Sequence, residues 1–395
     1  METTARRNGA IDMFRGMVMV LMVTVNDFWK VQDVPHWLEH FDIMEDGMGL
    51  SDIVYPMFLF AMGMSVPYAL DRRAAKGLST GSTVRHILSR TLALLLMGVF
   101  IVNSEYGVAS VLGYGKGIYW LLMVLAFFLV WDKYPKDSKW ERPLKWCGIA
   151  IMAFLALTYR NPDDGGFFRT GWWGILGQIG WMYLFCAAAY LLCGNRKWIL
   201  AVLWGILCVV NLSVAPMRDG SQLVGPNIVS DFAEALHLGN GHSVIMALGG
   251  MLMILAERRI EGWGMAGKLA LALGVSLVLA GLGFAAHGGW IISKGLGTLP
   301  WCLLVSAISV AFYALLRVLE KYGLTHWFAP FRPAGTSTLT VYMIPYFYLS
   351  MWVFINPVIP AWMCGWVGVA KCCVFTLLCI ATAWMLEKLN LKLKI

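Results

Sequence analysis

Twelve stretches of mostly apolar residues, each long or nearly long enough to cross a bilayer, divide this chain: 11–29, 53–70, 87–103, 117–131, 144–159, 172–193, 198–215, 242–256, 266–286, 298–316, 334–355 and 361–386. A helix that spans the hydrocarbon core needs about 20 such residues. In lipid the backbone must bond within its own segment or in a closed barrel, and these runs lack the alternating pattern of barrel strands. They predict an all-α fold, a polytopic transmembrane helix bundle of about 10–12 spans, with the short runs 117–131 and 144–159 setting the lower figure. Hydrophobic residues make up 59% and charged residues 14% of the chain, against roughly 45–50% and 25% in a soluble domain. That balance excludes a soluble enzyme, a fibrous protein and a disordered chain. No repeat or low-complexity linker divides residues 1–395, which read as one domain.

The net charge is +8. No tract of Lys and Arg interleaved with aromatics suggests a nucleic-acid surface, and the basic residues lie instead in short connections between apolar runs. With the N-terminus inside, 24 of the 31 Lys and Arg fall on the inner side, Arg6, Arg7 and Lys136 among them. The other 7 (Lys30, Lys116, Arg160, Arg169, Arg218, Lys294 and Lys371) fall on the outer side or near it. Cytoplasmic connections carry such an excess, so both termini are expected in the cytoplasm. Arg6 and Arg7 precede a first helix that no small-residue cleavage pattern follows, and it is read as retained. The nine cysteines lie almost entirely in apolar runs, with no CxxC pair or Cys/His spacing for a metal, and no disulfide framework is expected.

Polar residues are costly within a membrane and mark function there. Asp12 and Arg15 share one face of the first helix. They serve either as a helix start with a headgroup anchor or as a holder for an anionic ligand. Asn26 and Asp27 close the same span, either as a cap or as groups that orient a substrate. The segment 33–52 gathers His36 and His40 with Asp33, Glu39, Asp42, Glu45, Asp46 and Asp52 around the glycine-rich turn 47–52. Histidine with carboxylates is the equipment of acid–base chemistry near neutral pH, and the spacing of the two histidines is weak for a metal. Lys294 stands among glycines in 291–298, as a plain loop lysine or as a cation that grips a carbonyl or phosphate. His237 and His242 carry no spacing that recommends them.

Residues 8–16 (Asn-Gly-Ala-Ile-Asp-Met-Phe-Arg-Gly), 22–26 (Met-Val-Thr-Val-Asn), 36–40 (His-Trp-Leu-Glu-His) and 50–63, with Ser51-Asp52-Ile53-Val54-Tyr55-Pro56 at their centre, resemble the heparan-alpha-glucosaminide N-acetyltransferase family. Residues 291–301 are similar to a second block of that family. The resemblance implies an acyltransferase that uses acetyl-CoA at the cytoplasmic face and acetylates the amino group of a glucosamine-containing sugar across the bilayer. It implies His40 as the catalytic histidine, Asn26 and Asp52 as its active-site neighbours, and Arg15 and Lys294 as donor-binding groups, with no metal. It further implies a bacterial inner-membrane protein whose partners are acetyl-CoA, an amino sugar or glucosamine-terminated oligosaccharide and membrane lipid, and it admits a homodimer. The loop carries about two extra residues between His40 and Asp52, which keeps His36 in view. Where the family commonly has Gln-Arg, this chain reads Gly177-Gln178-Ile179, and where it has Gly-Asn, Gly335-Thr336. The rival reading is a sugar transporter or flippase that uses the same outer loop as a gate.

Overall fold

The computed structural model describes residues 8–135, 138–172, 174–224, 240–355, 360 and 362–395. Arg6, Arg7, Lys136, Asp231, Glu234 and His237 lie outside the described residues. Each of the twelve apolar runs falls on one long helix: α1 (Gly9–Val25), α2 (Leu50–Ala75), α3 (Thr80–Glu105), α4 (Lys116–Trp131), α5 (Glu141–Thr158), α6 (Ile175–Leu192), α7 (Trp198–Val214), α8 (His242–Arg259), α9 (Met265–His287), α10 (Leu299–Lys321), α11 (Thr338–Ile355) and α12 (Gly365–Lys388). Eight of these (α1, α2, α3, α6, α9, α10, α11 and α12) are long and apolar enough to cross a membrane. α4 and α7 are shorter apolar helices, and α5 and α8 carry charge at their ends. Among the described residues the only ladder is a two-residue antiparallel pairing of Ala109–Ser110 with Tyr159–Arg160.

The helix ends follow from local chemistry. Asn8 caps α1 by accepting from the Ile11 amide at 3.3 Å, and the Ser79 hydroxyl caps α3 by accepting from Ser82 at 3.2 Å. Connections alternate between two ends of the bundle. At one end Arg258 pairs with Asp71, Arg317 with Glu257, and the Gly9 amide donates to Glu320. The Lys394 amide donates to the Trp131 carbonyl at the same end. This is the basic end. The opposite end gathers the loops 26–49, 215–224 and 288–298, tied to one another by Gly47 donating to Ile292 and Arg218 donating to Gly289.

Lipid is as apolar as leucine, so packing comes from close approach and interhelical hydrogen bonds. α2 and α8 form one of the tightest contacts: a Cβ on Gly63 would sit 1.7 Å from the Ala247 carbonyl, and one on Gly250 2.1 Å from the Phe60 carbonyl. Gln178 then fastens three helices, because its Oε1 accepts from Tyr55 on α2 and from Ser243 on α8, each at 2.7 Å. Such bonds contribute about 0.6 kcal/mol each on average. α9 packs chiefly on α10 at the perimeter, with only 17% of its apolar window buried.

Candidate functional site

Asp52 sits in the first turn of α2, where the amides left over at a helix start favour a carboxylate. Its Oδ2 accepts from the backbone amides of Gly49 and Phe41, both at 3.1 Å. That fixes the carboxylate and turns Oδ1 toward His40, whose Nδ1 lies 2.7 Å away. The residue before it helps shape the loop, with the Ser51 hydroxyl donating to the Leu38 carbonyl at 2.6 Å. Asp52 is buried, with 1% exposure, while the His40 side chain is 56% exposed. A buried acid therefore holds an open imidazole by one nitrogen and leaves Nε2 to the outside.

Lys294 completes the cluster from 254 residues away in sequence: its Nζ lies 3.1 Å from His40 Nδ1 and 3.6 Å from Asp52 Oδ1. With the ring proton on Nδ1 and donated to Asp52, the ammonium pairs with the carboxylate. Burial pushes the Lys294 amine below its usual range, and the Asp52 charge offsets part of that shift. The lysine loop is clamped to the histidine loop. Ser293 donates its hydroxyl to the Ile43 carbonyl at 2.6 Å. Asp46 accepts from the Ile292 amide at 2.9 Å and pairs with Arg218 at 2.8 Å and His287 at 2.9 Å. Burial raises the Asp46 carboxyl, but these donors outweigh it and hold the group below its ordinary value. Gly297 closes the turn at φ +58°, where a Cβ would meet His242 Nδ1 at 2.5 Å and Asn240 Oδ1 at 2.7 Å, so both geometry and space demand glycine.

The other candidates lie apart from this cluster. His36 pairs with Glu45 at 2.7 Å and stacks on Phe41 with its side chain exposed, and the Glu45 hydrogen bond holds its imidazole above the usual value. His242 is a neighbour of Asn240 at 3.0 Å and of the Trp301 ring, beneath the Gly297 turn. Asn26 closes α1 and lines a cavity of about 380 Å³ with Asp27, Trp29, Glu105, Lys116, Trp120 and Tyr346; among the described residues no hydrogen bond joins it to His40. Arg15 is far down α1 toward the basic end, where it pairs with Asp12 at 2.8 Å and donates from Nε to the Gly335 carbonyl at 3.1 Å. It lines a second cavity of about 350 Å³ with Met19, Met22, Phe58, Ala69 and Arg90, among others. Among the described residues no group of three His, Cys, Asp or Glu is arranged to hold a metal ion.

The two cavities approach each other from opposite ends and share Ile175 and Tyr342 as wall residues. On α2 the basic-end cavity is lined from Ala69 to Phe58, a depth of about 16 Å at ~1.5 Å per residue. Phe58 is six residues, about 9 Å, along α2 from Asp52. The basic-end cavity is thus charged at its mouth and mostly apolar beyond it, and His40, Asp52 and Lys294 line neither cavity. Sequence reading missed the Asp46–Arg218–His287 clamp: all three are conspicuous as polar loop residues, but no spacing joins positions 46, 218 and 287.

Fold and site together define a polytopic helical membrane protein with an oriented histidine–carboxylate pair at the end opposite its basic surface. A family model described as a domain of unknown function (DUF5009) matches residues 7–222, and the chain belongs to that family. Heparan-alpha-glucosaminide N-acetyltransferase of Mus musculus is 28% identical over 210 residues, covering 45% of this chain and 30% of that protein. The Homo sapiens protein of the same name is 30% identical over 101 residues, covering 25% of this chain and 14% of that protein. The chain thus spans less than a third of the length of the curated relatives it matches.

Proposed function

We propose that this chain is a single-domain membrane acyltransferase that takes an acetyl group from acetyl-CoA at its basic, cytoplasmic end. It passes the acetyl group through the bundle to the amino group of a glucosamine-containing sugar at the opposite face of a bacterial inner membrane. The observation that carries the proposal is the 2.7 Å contact between the exposed His40 and the buried Asp52. The names of the relatives support the reaction class, and the two cavities that meet at Ile175 and Tyr342 support a route between the faces.

In this reading Asp52 keeps the proton of His40 on Nδ1, so Nε2 is the basic nitrogen that faces the acceptor. The sugar amine loses its proton to Nε2 as its nitrogen attacks the thioester carbonyl. The C–S bond breaks, and the imidazolium returns the proton to the departing thiolate, giving an amide and free CoA. The same ring also suits a two-step route in which Nε2 attacks first and carries the acetyl group. Asp52 stabilises the charged ring in either case. In this reading Lys294, whose Nζ lies 3.1 Å from His40 Nδ1, supplies the positive charge beside the ring that favours the developing oxyanion. The walls of the second cavity, aromatic faces of Trp29, Trp120 and Tyr346 beside Asn26, Asp27 and Glu105, have the mixed character that suits a sugar with a basic amine.

The test is purified protein in detergent with radiolabelled acetyl-CoA and glucosamine. Label is expected in the sugar with wild-type protein and absent with His40→Ala. Uptake of unlabelled sugar into proteoliposomes without acetyl transfer would favour the transporter reading, which the paired cavities also accommodate.

A further inference from the structure

Residues 389–395, which follow α12, do not hang from the bundle. The Lys392 amide donates to Asp132 at 2.7 Å, the Leu393 amide to the Thr340 hydroxyl at 3.0 Å and the Lys394 amide to the Trp131 carbonyl at 2.8 Å. An isolated bridge pairs Asp132 with Leu393, and Leu393 is 5% exposed. This stapling makes Lys392 through Ile395 part of the wall of the basic-end cavity, opposite Arg15 and Arg90. The cations there differ in how they are engaged. Arg15 is committed to Asp12 and the Gly335 carbonyl. Lys392 reaches Glu387 loosely, at 3.5 Å. Among the described residues Lys394 has no carboxylate partner. Arg90 stacks on Tyr183 with its Nε buried and without a hydrogen-bond partner among the described residues.

We infer that Lys392 and Lys394, with Arg90, form a phosphate-binding mouth to this cavity, and that the stapled segment is a working wall of the site. This rests on the function proposed above, and it moves the principal phosphate contacts from Arg15 to a segment that neither motif nor spacing singles out. The apolar walls beyond, Met19, Met22, Phe58 and Leu94, suit an uncharged arm that ends in a thioester, with the anionic nucleotide left at the rim. Phosphate chemistry is shared by a donor nucleotide and by an anionic lipid headgroup. Their place at the rim of this cavity, beside Arg90, assigns the lysines to the donor.

The experiment measures binding of acetyl-CoA and of acetyl-pantetheine, which lacks the nucleotide phosphates, to the full chain in phosphatidylcholine vesicles with and without phosphatidylglycerol. Wild-type protein should prefer acetyl-CoA. In K392Q/K394Q that preference should fall at least about tenfold, turnover of saturating acetyl-pantetheine should persist, and K392R/K394R should restore the preference. An unchanged preference in K392Q/K394Q would overturn this inference while leaving the proposed function standing. So would a defect confined to phosphatidylglycerol vesicles, which would assign the lysines to lipid. Wild-type protein that binds neither compound would overturn the proposed function, and this inference with it.

Discussion

Replacing Asp52 by Asn isolates the orienting charge with little change in shape. The amide oxygen can still accept from Gly49 and Phe41, as Oδ2 does at 3.1 Å, so the turn before α2 keeps its partners. The NH2 group must then point at His40. Two donors cannot share one contact of 2.7 Å, so the ring moves its proton to Nε2 and loses its basic nitrogen at the reacting face. The charge attraction to the imidazolium is lost as well, about 4 kcal/mol for a pair near 4 Å at an effective dielectric near 20, equivalent to roughly 10³ in rate. Loss of an orienting carboxylate in a serine protease costs about 10⁴. Acetyl transfer by Asp52→Asn should therefore fall by roughly 10³–10⁴, with acetyl-CoA affinity retained, measured by label in the sugar beside equilibrium binding. A thermal melt checks that Lys294, stripped of its counter-charge, has not unfolded the loop. Transfer within tenfold of wild type would refute the orienting role.

His36→Gln should leave transfer within about twofold, since among the described residues the His36 ring engages Glu45 and Phe41 and not the Asp52 cluster; a dead variant would move the chemistry to that ring. The amine of Lys294 is held below its usual range by burial, so its charge is lost at lower pH than that of a free lysine, and activity that uses the ammonium should decline as pH rises through that value. Lys294→Arg should carry the alkaline limb of the pH–rate profile upward, and a limb that does not move would leave the oxyanion role without support. The carboxyl of Asp46 is held low by its donors, so its clamp stabilises above the ordinary carboxylate range and weakens as pH falls through the depressed folded value. Asp46→Ala should cost about 1–3 kcal/mol in thermal or denaturant stability at neutral pH, and progressively less as pH falls below the ordinary carboxylate range and through the depressed folded value. Gly63→Val drives a side chain into the Ala247 carbonyl and should cost at least about 1–3 kcal/mol, read as a lower melting temperature in detergent.

The helices were legible because the membrane imposes a length and a composition on every crossing, and each run maps onto one helix. The two extra residues between His40 and Asp52 left two histidines in contention. The structure distinguishes them, because the loop folds His36 against Glu45 and His40 against Asp52. What linear spacing does not encode is which loops meet across the bundle. Lys294 reaches the dyad only through the turn built on Gly297 and Asn240. Asn26, the last residue of a block that resembles the family, lines a cavity with Glu105 and Lys116 of other helices instead. No motif or spacing marks residues 392–395, and only the contacts with Thr340 and Trp131 bring them to a cavity.

The claim that acetyl crosses the membrane to a sugar at His40 is tested most directly in oriented proteoliposomes. The basic end is exposed to labelled acetyl-CoA, and glucosamine is confined to the other compartment. The account predicts labelled N-acetylglucosamine on the far side with wild-type protein and none with His40→Ala, whose binding of acetyl-CoA is intact. Label appearing in sugar supplied only on the acetyl-CoA side, or far-side label that persists in His40→Ala, would contradict it.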